Sequence, residues 1–398
     1  MARRSIAFAE FSPSGGLFQF TAQLGEALAQ LGHDVHLFTG PRPEVAAKHP
    51  NFTIHAVLPT WHPMDTTVRS SLFRKVRRSV RAIQLVMAWL LLIVRLRRLK
   101  PDVVLWSAWQ FSVDGIGVLL TSRLLPLSML GLIAHEPRLI RRADTTRSQH
   151  GPLLDRILAA AWRRMSVVFV LGEQARVRVL ENWQPSGPVI VIPHGDERAL
   201  RDDQEVRPVA DTGPVALFFG TWTAYKGINV LLECLPEVRR RVPDARVVLA
   251  GGVVGVDLPA LLSRVSELGG VDARPGYVPL EEIPRLFSEA RVVVIPYLRA
   301  SQSGVAHLAY TYERPVVATT VGDIPSVVRD GETGLLVPPG DPTALAEALT
   351  TLLADPARAQ ELGKAGARWL ASEASWERVA EQLEQGLDHA DRRGVDAG

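Results

Sequence analysis

Four short stretches carry residues whose types could do chemistry. Ser12-Pro13-Ser14-Gly15-Gly16 has the small side chains that let backbone N–H groups close on a phosphate at the positive end of a helix. A ligand-free tight turn has the same composition. No Gly-x-Gly-x-x-Gly falls at this turn and no Gly-Lys-Ser/Thr loop occurs, which argues against a dehydrogenase or an ATPase. The stretch Gly220-Thr221 to Lys226-Gly227 puts an ammonium between a strand end and a helix start, placed to neutralise a departing diphosphate. A solvated surface lysine is the alternative there. Pro296-Tyr297-Leu298-Arg299-Ala300-Ser301-Gln302-Ser303-Gly304 enters a helix with Ser301 or Ser303 as N-cap. Its free amides and neutral side chains suit sugar hydroxyls or phosphate, and a plain capped helix start accounts for them equally. His135 follows a strand in Ile133-Ala134-His135-Glu136-Pro137. A lone histidine carries no mechanism by itself. With no His-Glu-x-x-His and one cysteine, Cys234, no zinc site is expected.

Elements must hold these loops. Apolar, β-branched runs at 6–11, 35–38, 103–106, 130–134 and 167–171 alternate with stretches of helical period, and runs at 215–219, 246–249, 292–295 and 316–319 repeat the grammar. Parallel strands with crossover helices follow for both halves. The 398 residues suit two domains: 1–196, and 197–374. The polar stretch 197–212 reads as the hinge. A helix over 375–390 followed by a disordered tail is expected, with the helix packing back on the first domain. Open α/β sheets bind ligands beyond the carboxyl ends of their strands, so chemistry is expected in an interdomain cleft.

The net charge of +3 is modest but unevenly spread, with nine Lys or Arg and no acid from Arg74 to Lys100. Within that run the 13-residue, nearly all-apolar span 82–94 falls short of the ~20 a membrane-crossing helix needs. Flanked by bases, they suit an anionic lipid interface, and a buried core helix with solvated ends fits the same pattern. No pattern favours nucleic acid. The N-terminal apolar stretch is broken by Glu10 before it could form a signal core, which points to a cytoplasmic protein, peripheral on the inner face of the cell membrane if 74–100 meets lipid.

Together these pieces resemble the family 4 retaining glycosyltransferases. The resemblance is carried by Phe218-Phe219-Gly220, Lys226-Gly227, Ala250-Gly251-Gly252, Gly276-Tyr277-Val278-Pro279, Pro296-Tyr297, Arg314-Pro315 and Gly331-Glu332-Thr333-Gly334 in that order. It implies an α/β GT-B fold of two facing Rossmann-like domains with parallel sheets, and a nucleotide diphosphate sugar as donor. It also implies a diphosphate gripped by Lys226 and by amides near Ser301, Gln302, Ser303 and Gly304, the base against Gly276 to Val278 with Tyr277, Gly15 and Gly16 approaching from the other domain, and His135 facing the donor sugar. The chain departs from the family in two places. The family's Glu-x7-Glu pair falls on Ala300 and Leu308, and Thr221 stands where many members have arginine. Gln302 or Ser303 is expected to replace the lost sugar contacts, and Arg299 the lost charge. The acceptor is expected to be lipid-linked or a saccharide, and no metal or cofactor is expected. Two other readings keep the fold: a nucleotide-sugar epimerase, for which the carboxylates are too few, and a non-catalytic sugar-nucleotide-binding partner of another glycosyltransferase.

Overall fold

The computed structural model describes residues 3–61, 71–109, 113–135, 151–198, 201, 206–300 and 302–396, with backbone alone for 71–78, 152 and 393–396. The chain divides into two compact units, one made of Met1–Pro193 with Trp376–Gly398 and the other of His194–Ser375.

The first unit alternates strand and helix: β1 (Ser5–Ala9), α1 (Gly16–Gln30), β2 (Asp34–Thr39), β3 (Phe52–Ala56), α2 (Ser71–Leu99), β4 (Val103–Trp106), α3 (Asp114–Leu124), β5 (Met129–Ala134), α4 (Pro152–Trp162), β6 (Val167–Val170), α5 (Glu173–Asn182) and β7 (Val189–Val191). Among the described residues its strands pair in parallel in the order β3-β2-β1-β4-β5-β6-β7. Its central strands are apolar throughout because helices cover both faces; all four residues of β4 are buried.

The second unit holds β8 (Val215–Phe219), α6 (Ile228–Arg241), β9 (Arg246–Gly251), α7 (Leu258–Leu268), β10 (Val271–Pro275), α8 (Ile283–Glu289), β11 (Val292–Ile295), α9 (Gly304–Thr311), β12 (Val316–Thr319), α10 (Ile324–Val327), β13 (Gly334–Val337), α11 (Pro342–Ala354) and α12 (Pro356–Glu373). Its parallel order β10-β9-β8-β11-β12-β13 repeats that of the first unit. In each sheet the order reverses beside the first strand, between β1 and β4 and between β8 and β11, which leaves a crevice at the strand ends.

Three expectations change. The division between units falls at Pro193 and His194, three residues before the expected boundary, so the described residues of the polar stretch 197–212 belong to the second unit. Hydrogen bonds hold them there together with Val209, which is buried in the second unit's core. Glu197 N–H donates to Thr311 Oγ1 (3.2 Å), and the buried Arg314 guanidinium donates to the carbonyls of Arg207 (2.7 Å), Ser288 (3.0 Å) and Phe287 (2.7 Å). Desolvation lowers that guanidinium to about 10. The last helix, α13 (Trp376–Asp396), continues through the expected tail, and its Val379, Leu383 and Leu387 pack with Leu24 and Leu28 of α1. The apolar run 82–94 does not stand alone either. Arginine and lysine are good helix formers, so α2 extends through both basic flanks, and 79–99 is long and apolar enough to cross a membrane by length and composition.

Candidate active site

In the second unit, the loops that follow β8, β9 and β11 meet at the reversal of strand order. The Gly220 N–H donates to the Ala250 carbonyl (2.9 Å), Trp222 N–H to Gly252 (2.6 Å), and Leu298 N–H to Tyr225 (2.7 Å). Two glycines make this interleaving possible. Gly227 has φ +70°, and a Cβ there would lie 1.8 Å from the Pro296 carbonyl oxygen; Gly251 has φ +148°, with a Cβ 2.0 Å from the Gly220 carbonyl oxygen. Only glycine allows these approaches.

Lys226 ends a 3-10 turn over Ala224–Lys226. Its Nζ stands 5.1 Å from the centre of the Tyr297 ring and 3.1 Å from where a Gly220 Cβ would be. Among the described residues no carboxylate pairs with it, so a ring face and a bare backbone hold the ammonium. Thr221 is exposed in the same loop. Gly276 follows β10 and donates its N–H to the Gly251 carbonyl (2.9 Å), which seats Tyr277, partly exposed, and Val278, half-buried, beside the Gly251-Gly252 turn.

Ser303 occupies the N-cap of α9, but its hydroxyl makes no capping bond. Ser303 Oγ and Gln302 Oε1 are buried without hydrogen-bond partners, an arrangement that costs free energy unless something polar meets them. The first turn of α9 therefore presents open amides and two unspent side-chain groups. Arg299 is exposed next to it. Ser301 lies outside the described residues, as do Glu136, Arg138, Arg141, Arg142 and Arg147. Leu308 is buried in the core, and the partly buried Ala300 packs against it.

Sequence reading missed the support under this loop. The His194 ring would lie 2.8 Å from a Cβ on Gly304, and it packs 5.1 Å from the His307 ring. Burial lowers His194 to about 4 and His307 to about 3, so both are neutral spacers. The only hint in the sequence was Pro193-His194-Gly195 closing a strand.

In the first unit, Gly15 and Gly16 open α1 with free space where their side chains would be, and Gly15 has φ +86°. The Gly15 N–H donates to the Glu44 carboxylate (2.9 Å), which also accepts from Gln19 (2.9 Å). A carboxylate thus sits on the amide that the sequence reading offered to a phosphate. His135, at the end of β5, is buried with its ring edge-on to Phe20 of α1 at 4.5 Å, and Phe20 packs in turn on Trp376 at 5.1 Å. α1 thus starts at the glycine turn and packs on His135 through Phe20, one turn along.

The first unit also holds a group that sequence reading passed over. Glu10, directly after β1, is buried and accepts from the Ser12 N–H (2.9 Å) and the Ser107 hydroxyl at the end of β4. Burial, with the Asp114 charge nearby, raises its carboxyl to about 7. Because the folded value lies above the ordinary 4.5, this group's contribution to stability is complete below pH 4.5 and lost as pH rises to about 7. That is a few kcal/mol at about 1.4 kcal/mol per unit. Glu10→Gln is expected to raise the melting temperature at pH 8 and leave it nearly unchanged at pH 5. Equal shifts at both pH values would refute this.

Among the described residues, no three His, Cys, Asp or Glu side chains converge as a metal-holding group. Residues 14–196 match the model of Glycosyltransferase Family 4, and 213–355 match that of Glycosyl transferases group 1. The chain is 31% identical over 298 residues to the GDP-mannose-dependent alpha-(1-6)-phosphatidylinositol monomannoside mannosyltransferase of Mycolicibacterium smegmatis, an alignment covering 65% of this chain and 74% of that protein. It is 32% identical over 210 residues to the D-inositol 3-phosphate glycosyltransferase of Corynebacterium diphtheriae, covering 50% of this chain and 48% of that one. The sucrose-phosphate synthase of Thermosynechococcus elongatus superposes with a TM-score of 0.73 at 25% identity, covering 100% of both chains. Two parallel sheets of one strand order, with this glycine-lysine loop at the second reversal point, define a glycosyltransferase of the GT-B class. The chain belongs to glycosyltransferase family 4.

Proposed function

We propose that the protein transfers a sugar, with retention at the anomeric carbon, from a nucleotide diphosphate donor to a lipid-linked or saccharide acceptor in polysaccharide or glycolipid synthesis. The observation that carries this is the Lys226 ammonium at the strand-order reversal, which no carboxylate among the described residues pairs, with the uncapped first turn of α9 on the neighbouring strand end. As the bond from the anomeric carbon to the diphosphate oxygen breaks, negative charge gathers on that oxygen. Lys226 and the amides at Ser303 and Gly304 supply the opposing field. The new bond forms from the acceptor oxygen to the same carbon, and the acceptor's proton passes to the departing phosphate. The amides of the second unit, with Lys226, do this work without a metal. Ser301, Gln302 and Tyr277 are further proposed donor contacts.

The mannosyltransferase relative is named for a phosphatidylinositol-type acceptor, which supports a lipid-linked acceptor here. We place the protein at the cytoplasmic face of a membrane, with contact through 74–100. Melting curves with uridine and guanosine diphosphate sugars test the donor half, since a ligand that binds only the folded state raises its stability. One donor class is expected to raise the melting temperature, and incubation with a membrane extract should then move its labelled sugar into lipid or glycan. No stabilisation by any donor, and no transfer, would refute the proposal. Arg299→Ala is expected to raise the donor KM about tenfold with kcat kept, as loss of one exposed phosphate contact would; an unchanged KM removes Arg299 from the site.

A further inference from the structure

Helix α2 has two apolar faces. Leu85, Ala88, Trp89, Leu92 and Leu96 are buried over the sheet, while Ile83, Val86, Met87, Leu90 and Val94 form an outward stripe at helical spacing, with Ile83 65% exposed. Helix α3 lies beside it. The Trp89 indole N–H donates to the Asp114 carboxylate (3.0 Å), and a Cβ on Gly117 would come 2.2 Å from the Trp89 ring, so α3 packs tightly on α2 at that glycine. Both helices cover the same sheet face, contributing Leu92 and Val118 to one core, so their outward sides share one surface. On that surface α3 adds Ile116, Leu120 and Leu124 at four-residue spacing, and Leu127 follows them 97% exposed. So large an apolar patch is unusual on a protein that meets only water.

Charge decides the occupant. α2 carries no acidic residue, and Arg95, Arg97, Arg98 and Lys100 are exposed at its end, with Arg123 exposed on α3. A second copy of the chain on this face would set arginines against arginines, whereas anionic headgroups complement them. Crossing is excluded by packing. A spanning α2 would have to pull Leu85, Ala88, Leu92 and Leu96 out of the core and break the Trp89–Asp114 bond. We infer that α2 and α3 form one monotopic docking surface for an anionic bilayer, lying in the interface plane with the α2 stripe and the α3 leucines in the acyl boundary. This deepens the membrane contact proposed above and rests on that part of the reading, not on the sugar chemistry.

Flotation of the full chain with vesicles of phosphatidylcholine alone, or mixed with phosphatidylglycerol, tests it. Binding to the mixed vesicles is expected, weakened severalfold at 0.5 M salt by screening and weak on the neutral ones. Leu90→Asp and Leu120→Asp should each lower vesicle binding at least tenfold while keeping the circular dichroism spectrum and donor-induced stabilisation of the parent. The inference is overturned if the parent fails to float with anionic vesicles, or if Leu120→Asp binds like the parent. It is equally overturned if the chain elutes as a dimer that Leu90→Asp splits. Vesicle binding without any sugar transfer would leave the docking surface standing and defeat the proposed transfer instead.

Discussion

Lys226→Met is expected to lower kcat about a hundredfold, because one preorganised donor facing a developing charge is worth about 3 kcal/mol of barrier. Methionine keeps the apolar stem against Tyr297 and Gly220 and removes only the ammonium. Its absence matters most when the diphosphate leaves, so kcat should fall further than donor KM rises. Slow hydrolysis of the donor by water, measured without acceptor, should fall in parallel, since it breaks the same bond. A kcat within threefold of the parent would mean that Lys226 is a surface cation and that the charge is met elsewhere.

Gly227→Ala is expected to cost about 3 to 5 kcal/mol, which places it among the severest single substitutions. Two penalties add. A left-handed backbone costs a residue with a Cβ about 1 to 2 kcal/mol, and the methyl would lie 1.8 Å from a backbone oxygen, where no flexible side chain can yield. The loop after β8 and the loop after β11 must therefore separate. Separating them would pull Leu298 N–H from the Tyr225 carbonyl and carry Lys226 off the Tyr297 ring. Calorimetry should show one transition lowered strongly and the other unmoved, because Gly227 lies wholly within the second unit. A variant with parent-like melting and parent-like kcat would show that the loops tolerate the shift.

The sequence by itself determined the elements and the loops. Short runs such as 103–106 and 292–295, apolar throughout, suit strands covered on both faces, and the glycine turns mark where strand passes into helix. Lys226, Ser303 and His135 could be proposed from the sequence because residue type and position beside a strand end are local facts.

Only the tertiary structure decided what lies across from them. Glu10 meets Ser107 over a separation of 97 residues, and His194 packs beneath an α9 that begins far along the chain, because strand order sets those neighbours and a single sequence does not print it. Glu44 reaches the Gly15 amide for the same reason. The described residues of the polar stretch sit in the second unit because Arg314 donates to the Arg207 carbonyl and the Glu197 N–H donates to Thr311, pairings that leave no hydrophobic period in the sequence. In α2 the apolar residues run around the helix, so periodicity could not separate the face for the core from the face left outside. Packing against α3 through Gly117 and Trp89 made that choice.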